Sequence, residues 1–98
     1  VFITLLGKRY SLKIEALGRY KQNGEQMWGA CSQPTDKNKA IWIDKRLKGE
    51  HELEILLHEM MHACDWQKDE EFIGRSAKDI ARALWRIGFR KTQDEVKT

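Results

Sequence analysis

Very little of this chain is cysteine or proline, and nowhere is it apolar for long. Two cysteines, Cys31 and Cys64, are too few for a disulfide framework. They read instead as buried small hydrophobes in a reducing, cytosolic protein, with a Cys31–Cys64 bridge as the alternative. No run of about 18 or more apolar residues occurs, so no membrane-spanning helix is expected. The opening residues 1–6 are too short for a secretory signal and lack its charged start. Charge of one sign is also scarce: 18 basic residues against 15 acidic leave a net +3. That balance tolerates an acidic partner without requiring nucleic acid. Internal repeats and low-complexity segments are absent.

The composition that remains is 41% hydrophobic and 34% charged over 98 residues. It fits one globular domain, 1–98, and not a disordered chain. A domain this small has a limited core, so a bound metal would add to its stability.

The first half, 1–44, reads mainly as β. Val1 to Leu6 is apolar and β-prone, Gly7-Lys8 signals a turn, and Tyr10-Ser11-Leu12-Lys13-Ile14 alternates. The pattern predicts a hairpin with Tyr10, Leu12 and Ile14 on one face. Asn23-Gly24 marks a second turn before the extended segment Gln26-Met27-Trp28-Gly29-Ala30-Cys31. A polar loop with the single proline, Pro34, leads to the short apolar strand Ala40-Ile41-Trp42-Ile43-Asp44.

The second half reads as α. One helix is expected over 49–66, opened by Glu50, Glu52 and Glu54, whose charges suit a helix N-terminus. Its apolar stripe is Leu53, Leu56, Leu57, Met60, Ala63 and Cys64. After the break Gln67-Lys68-Asp69, with Asp69 as N-cap, a second helix is expected over 70–88. Ile73, Ala77, Ile80, Ala81, Leu84 and Ile87 share one face, and Gly88 closes it. Residues 91–98 read as a polar tail. The fold class is α+β: a small antiparallel sheet, then two packed helices.

Chemistry concentrates in His58-Glu59-Met60-Met61-His62. Residues four apart on a helix stack one turn above each other, so both imidazoles can face one ion. Glu59 lies beside them, placed to reach a water and not to act as ligand. This is the H-E-x-x-H division of labour: two nitrogens for zinc, one carboxylate as general base.

A catalytic zinc site takes a third protein ligand. His51 lies on the same helix, seven residues before His58, and seven residues rise ~10 Å. That is too far along the axis, and similar geometry disfavours Asp65. The ligand is therefore expected from an element that folds back. Glu70 and Glu71 open the second helix. Glu70 is in phase with Ile73 and Ala77 on the buried face, whereas Glu71 is in line with Gly74, Arg75 and Lys78 on the polar face. Glu70 is the choice and Glu71 the fallback; an acidic first turn serving only the helix dipole is the plain alternative.

The stretch Leu56-Leu57-His58-Glu59-Met60-Met61-His62-Ala63-Cys64-Asp65-Trp66 continues into Asp69-Glu70-Glu71-Phe72-Ile73 and a segment from Ala81 to Arg90. In these residues, with Gly29-Ala30-Cys31 and Ile41-Trp42-Ile43-Asp44, the chain resembles small phage and prophage metallopeptidases of the gluzincin type. The resemblance implies a minimal zincin-like fold, metal binding at His58 and His62, the base role for Glu59, and a third ligand at Glu70 or Glu71. It further implies Zn2+, a protein or peptide substrate, and a bacterial cytoplasm. One departure stands out. Larger gluzincins often carry an acidic residue four positions after the ligand glutamate, where Gly74 or Arg75 stands here. Asp65 could take that orienting role.

Other features are weaker. The strand Ala40 to Asp44 precedes the metal-motif helix as the edge strand does in zincins, and an extended peptide could add to such an edge. Trp42 could face substrate, although core is its commoner place. Tyr10, Tyr20 and Arg75 are unassigned oxyanion candidates, and Trp28, Trp66 and Trp85 read as packing. Lys8-Arg9 and Lys45-Arg46 with Lys48 read as solvated basic clusters, with an acidic protein or DNA as the other use. A metal-stabilised binding module and a degenerate zincin with no metal are the competing readings of the whole chain.

Overall fold

The computed structural model describes residues 1–18, 21–22 and 24–92. Its elements are β1 (Phe2–Leu5), β2 (Lys8–Glu15), β3 (Lys21–Gln22), β4 (Glu25–Gln26), β5 (Gly29–Cys31), β6 (Ala40–Asp44), α1 (Gly49–Cys64) and α2 (Glu70–Arg86). The α+β class is the one expected. A four-stranded sheet in the order β1-β2-β6-β5 is followed by two helices, with β3 and β4 forming a separate small hairpin.

The first hairpin turns at Leu6-Gly7, one residue before the expected place. Both residues have positive φ, 50° and 76°, as a two-residue turn matching the right-handed strand twist demands. Leu6 therefore stands 75% exposed outside the strand. In the second turn Gly24 has φ 79°; Asn23 lies outside the described residues.

The sheet is not wholly antiparallel. β1 pairs antiparallel with β2, and β5 with β6, but β2 runs parallel to β6, with Leu12 opposite Ile41 and Ile14 opposite Ile43. The long connection between β2 and β6 makes the parallel pairing feasible. It also puts β6 inside the sheet and leaves β5 as an edge, reversing the expectation that Ala40 to Asp44 would be the edge strand.

Alternation divides the sheet into two faces. Tyr10, Ile41 and Ile43 point to the helices and are almost fully buried, together with Leu47 and Ala63. The Tyr10 hydroxyl donates to the Ala63 carbonyl at 3.5 Å, so Tyr10 is a core residue. Ile14 shares their parity but is 52% exposed at the strand end. Trp42 has the opposite parity and sits on the face away from the helices.

Both helices end two residues earlier than expected. Asp65 leaves helical geometry at φ −146°, ψ 83°. Asp69 caps α2 as anticipated, accepting from the Phe72 amide at 2.9 Å. Gly88, at φ 99°, closes α2 in a Schellman arrangement: Phe89 N–H donates to Leu84 O and Gly88 N–H to Trp85 O. Ile73, Ala77 and Ala81 form the buried stripe of α2, but Ile80 is 42% and Ile87 71% exposed. The contact face is narrower than the hydrophobic pattern because α2 packs on one helix, not on the sheet. Cys31 is half-buried and Cys64 exposed, both as free thiols, so only Cys31 approaches the expected burial. No helix among the described residues is long and apolar enough to cross a membrane.

At the end of β6 the carboxylate of Asp44, fully buried, accepts from the amides of Leu17 (2.9 Å) and Arg46 (2.8 Å) and from the Arg46 guanidinium (3.0 and 3.1 Å). The guanidinium, reinforced by the two amides, holds the carboxyl well below the usual carboxylate range despite burial. A depressed folded-state pKa contributes stability above the unfolded value of ~3.9, and that contribution disappears as pH falls below it. Asp44→Ala orphans two amides and should cost about 2–3 kcal/mol. Urea midpoints between pH 6 and pH 3 should fall with acid for the native chain and fall less steeply for Asp44→Asn. Parallel slopes would refute this role.

Candidate metal centre

The three residues chosen from sequence meet. His58 and His62 stand one turn apart on α1, and their Nε2 atoms lie 3.1 Å from each other. The carboxylate of Glu70, in the first turn of α2, places Oε1 2.9 Å from His58 Nε2 and Oε2 2.7 Å from His62 Nε2. Two imidazole nitrogens and a carboxylate oxygen thus converge within 4.8 Å of one another, a group that could hold a metal ion. Tetrahedral zinc ligands at 2.0–2.2 Å from the ion lie about 3.3 Å apart; the observed separations are slightly shorter. A neutral imidazole brings one lone pair at its unprotonated nitrogen, so the donor set suits a borderline divalent cation.

How the sequence achieves this is local. The break at 65–69 turns the chain, and the Asp69 cap fixes the first turn of α2 so that Glu70 faces back over α1. Glu70 is in phase with the buried stripe, as expected, but its side chain is 71% exposed because it overhangs the cleft and is not enclosed. Glu71 points away and lies 3.7 Å from Arg75 on the outer surface. Arg75 is therefore remote from the cluster. Tyr20 lies outside the described residues. Asp65 is exposed, and among the described residues no hydrogen bond joins it to either ring. His51 packs edge-on to Trp28 at 5.6 Å between ring centroids, away from the cluster.

Glu59 differs from the histidines in being nearly buried, 9% exposed. Burial pushes its carboxyl up to about 7, with the charge of Glu70 adding to the effect. A divalent cation nearby would act in the opposite direction. His58, Glu59, His62 and Glu70 all border one cleft of about 990 Å³. Its opposite wall includes Trp28, Gly29, Ala30 and Cys31, and Trp66 stands at one end with its ring 6.3 Å from that of His62.

Two glycines that sequence reasoning passed over shape this cleft. A Cβ on Gly29 would sit 2.8 Å from Ile55 Cγ2 and 3.0 Å from Glu59 Oε2. Only a bare backbone lets β5 lie so close to the turn that carries Glu59. Gly74, assigned to the polar face, is instead half-buried at the seam between helices, where a Cβ would be 3.8 Å from His58 Cε1. A glycine inside a helix is costly without a packing reason, and that signal could have found it.

The edge of β5 is oriented toward the cleft. Asp44 N–H donates to Trp28 O and Ser32 N–H to Ala40 O. With Ala30 opposite Trp42, the even-numbered residues bond to β6, and the backbone groups of Gly29 and Cys31 face outward. Comparison with models of known protein families, with curated proteins and with solved structures gives no match. The residues of the site therefore carry the functional argument.

Gly29→Ala should destabilise the fold by about 1–3 kcal/mol. Since the clash is chiefly with Ile55, the double variant Gly29→Ala/Ile55→Ala should lose less than the sum of the two single losses in denaturant titrations. Strict additivity would mean that the close approach does not constrain the strand.

Proposed function

We propose that the chain is a zinc-dependent metallopeptidase, with His58, His62 and Glu70 as metal ligands and Glu59 as general base. The observation that carries this reading is the convergence of His58 Nε2, His62 Nε2 and the Glu70 carboxylate beside Glu59 in one open cleft. When bound, zinc supplies Lewis acidity, acidifying water and polarising a carbonyl. Glu59 takes the proton of the attacking water and passes it to the leaving amine. The outward backbone groups of Gly29 and Cys31 offer an extended peptide a strand to pair with, which sets the scissile bond along the cleft. Trp28 and Trp66 supply apolar walls for its side chains. The resemblance adds that the targets are proteins of a phage or its bacterial host.

Purified chain should contain roughly one zinc per molecule, and His58→Ala/His62→Ala should lose it. Glu70→Ala should weaken zinc retention, and Glu71→Ala should leave it unchanged. Glu59→Gln should keep the metal while cleavage of a denatured protein substrate drops roughly 10²-fold to 10⁴-fold. Full activity in Glu59→Gln would remove the assigned base. Zinc retained by a chain that cleaves nothing would favour a metal-stabilised binding module.

A further inference from the structure

The sheet face opposite the helices is unpartnered and has an unusual composition. In β1 and β2 it presents Phe2, Thr4, Arg9, Ser11 and Lys13; in β6 it presents Ala40 and Trp42. A solvated sheet face normally alternates polar residues to water. Here two aromatic rings lie on it, each with a cation above. The Arg9 guanidinium carbon is 3.8 Å from the Phe2 ring centroid, and Lys13 Nζ is 5.9 Å from that of Trp42. Phe2 is 60% exposed. In register, Ser11 and Ala40 lie beside Phe2, and Lys13 lies beside Trp42; Ala40 is buried, Trp42 is half-buried, and Arg9 and Lys13 are exposed.

The charge on this face is unbalanced. Among the described residues neither Arg9 nor Lys13 has a carboxylate within salt-bridge distance; the ion pairs present involve Arg46, Arg75, Lys91 and the metal-site histidines. Glu15, of the same parity as Arg9 and Lys13, stands at the far end of β2. The basic cluster at 45–48 contributes less, since Arg46 is engaged by buried Asp44.

From these placements we infer that the open sheet face binds single-stranded nucleic acid, with bases stacked on Phe2–Arg9 and Trp42 and phosphates held by Arg9 and Lys13. The chemistry is complementary on both counts. Unpaired bases present apolar faces that aromatic and guanidinium planes stack on. Their backbone supplies the negative charge that these cations lack. A duplex hides its base faces, so it satisfies only the electrostatic half. An acidic protein segment likewise offers charge without stacking planes. The inference is independent of the peptidase reading, because this face lies across the sheet from the cleft.

Binding of a fluorescent oligothymidylate to the full chain at 50 mM salt tests it. Affinity should fall with salt, and Arg9→Ala/Lys13→Ala should reduce the log–log salt slope by about 1.4, at ~0.7 for each phosphate that is no longer neutralised. Phe2→Ala, at an exposed position, should weaken binding roughly 5-fold to 100-fold while leaving the salt slope unchanged. Trp42→Phe should keep a stacking surface and most of the affinity, and it should remove quenching of tryptophan fluorescence by the oligonucleotide. Absence of binding at 50 mM salt overturns the inference. So does equal affinity for a duplex, or for heparin with no loss in Phe2→Ala, since either result reduces the face to a generic polyanion surface.

Discussion

The close seam between α1 and α2 is the contact on which the rest of the site depends. Ile73, Ala77 and Ala81 are buried at steps of four, and Gly74 sits beside His58. Small side chains along such a ridge let two helices approach closely. At that spacing Glu70, in the first turn of α2, overhangs the imidazoles of the facing helix without leaving helical geometry. A bulkier seam would lift α2 and carry the carboxylate out of reach. The same approach explains why most of the stripe on α2 is alanine and not leucine: its work is proximity more than buried area.

A second close approach, that of β5 to α1 at Gly29, governs the general-base candidate. Two nearly buried carboxylates show how environment divides their behaviour. Asp44 is ringed by two amides and a guanidinium, and its pKa is driven down. Glu59 lies beside Ile55 and the Gly29 backbone, meets no such donors among the described residues, and is driven up. Burial alone disfavours charge, and it is the supply of hydrogen-bond donors that reverses it. Asp44 accordingly ties loops to the sheet, whereas Glu59 keeps an unspent carboxylate facing the cleft.

Much of this is legible in the sequence because it depends on local period. The step of four from His58 to His62, the Asp69 cap, Gly88 at the end of α2 and the phase of Glu70 over Glu71 are all properties of one helix at a time. The α+β order follows equally from alternation giving way to helical spacing. What escapes is pairwise and nonlocal. Nothing in Ala40-Ile41-Trp42-Ile43-Asp44 reveals that β2 runs parallel beside it, so pattern alone puts β6 at the edge when the edge is β5. Gly29 and Gly74 matter through what lies opposite them, Ile55 with Glu59 in one case and His58 in the other. Ile80 and Ile87 read as core from their phase, yet one neighbouring helix cannot cover so wide a stripe. Cys64 misleads in the same way, being exposed at the last turn of α1.

The sheet itself separates two environments in a chain short of material to cover both. Helix α1 covers one face of the four strands and α2 packs on α1; the described residues hold no third helix for the other face. An antiparallel-rich sheet tolerates water on its uncovered side, but the uncovered side here keeps Phe2 and Trp42. Long basic side chains can lie along apolar surface while their heads remain hydrated, so Arg9 and Lys13 shield the two rings and keep the face soluble. Residues of pure packing value would not need to remain exposed in this way, and residues of pure solubility value would not need to be aromatic. Cation and ring are paired on this face, and among the described residues neither cation has a carboxylate within salt-bridge distance, so both keep charge to offer a partner.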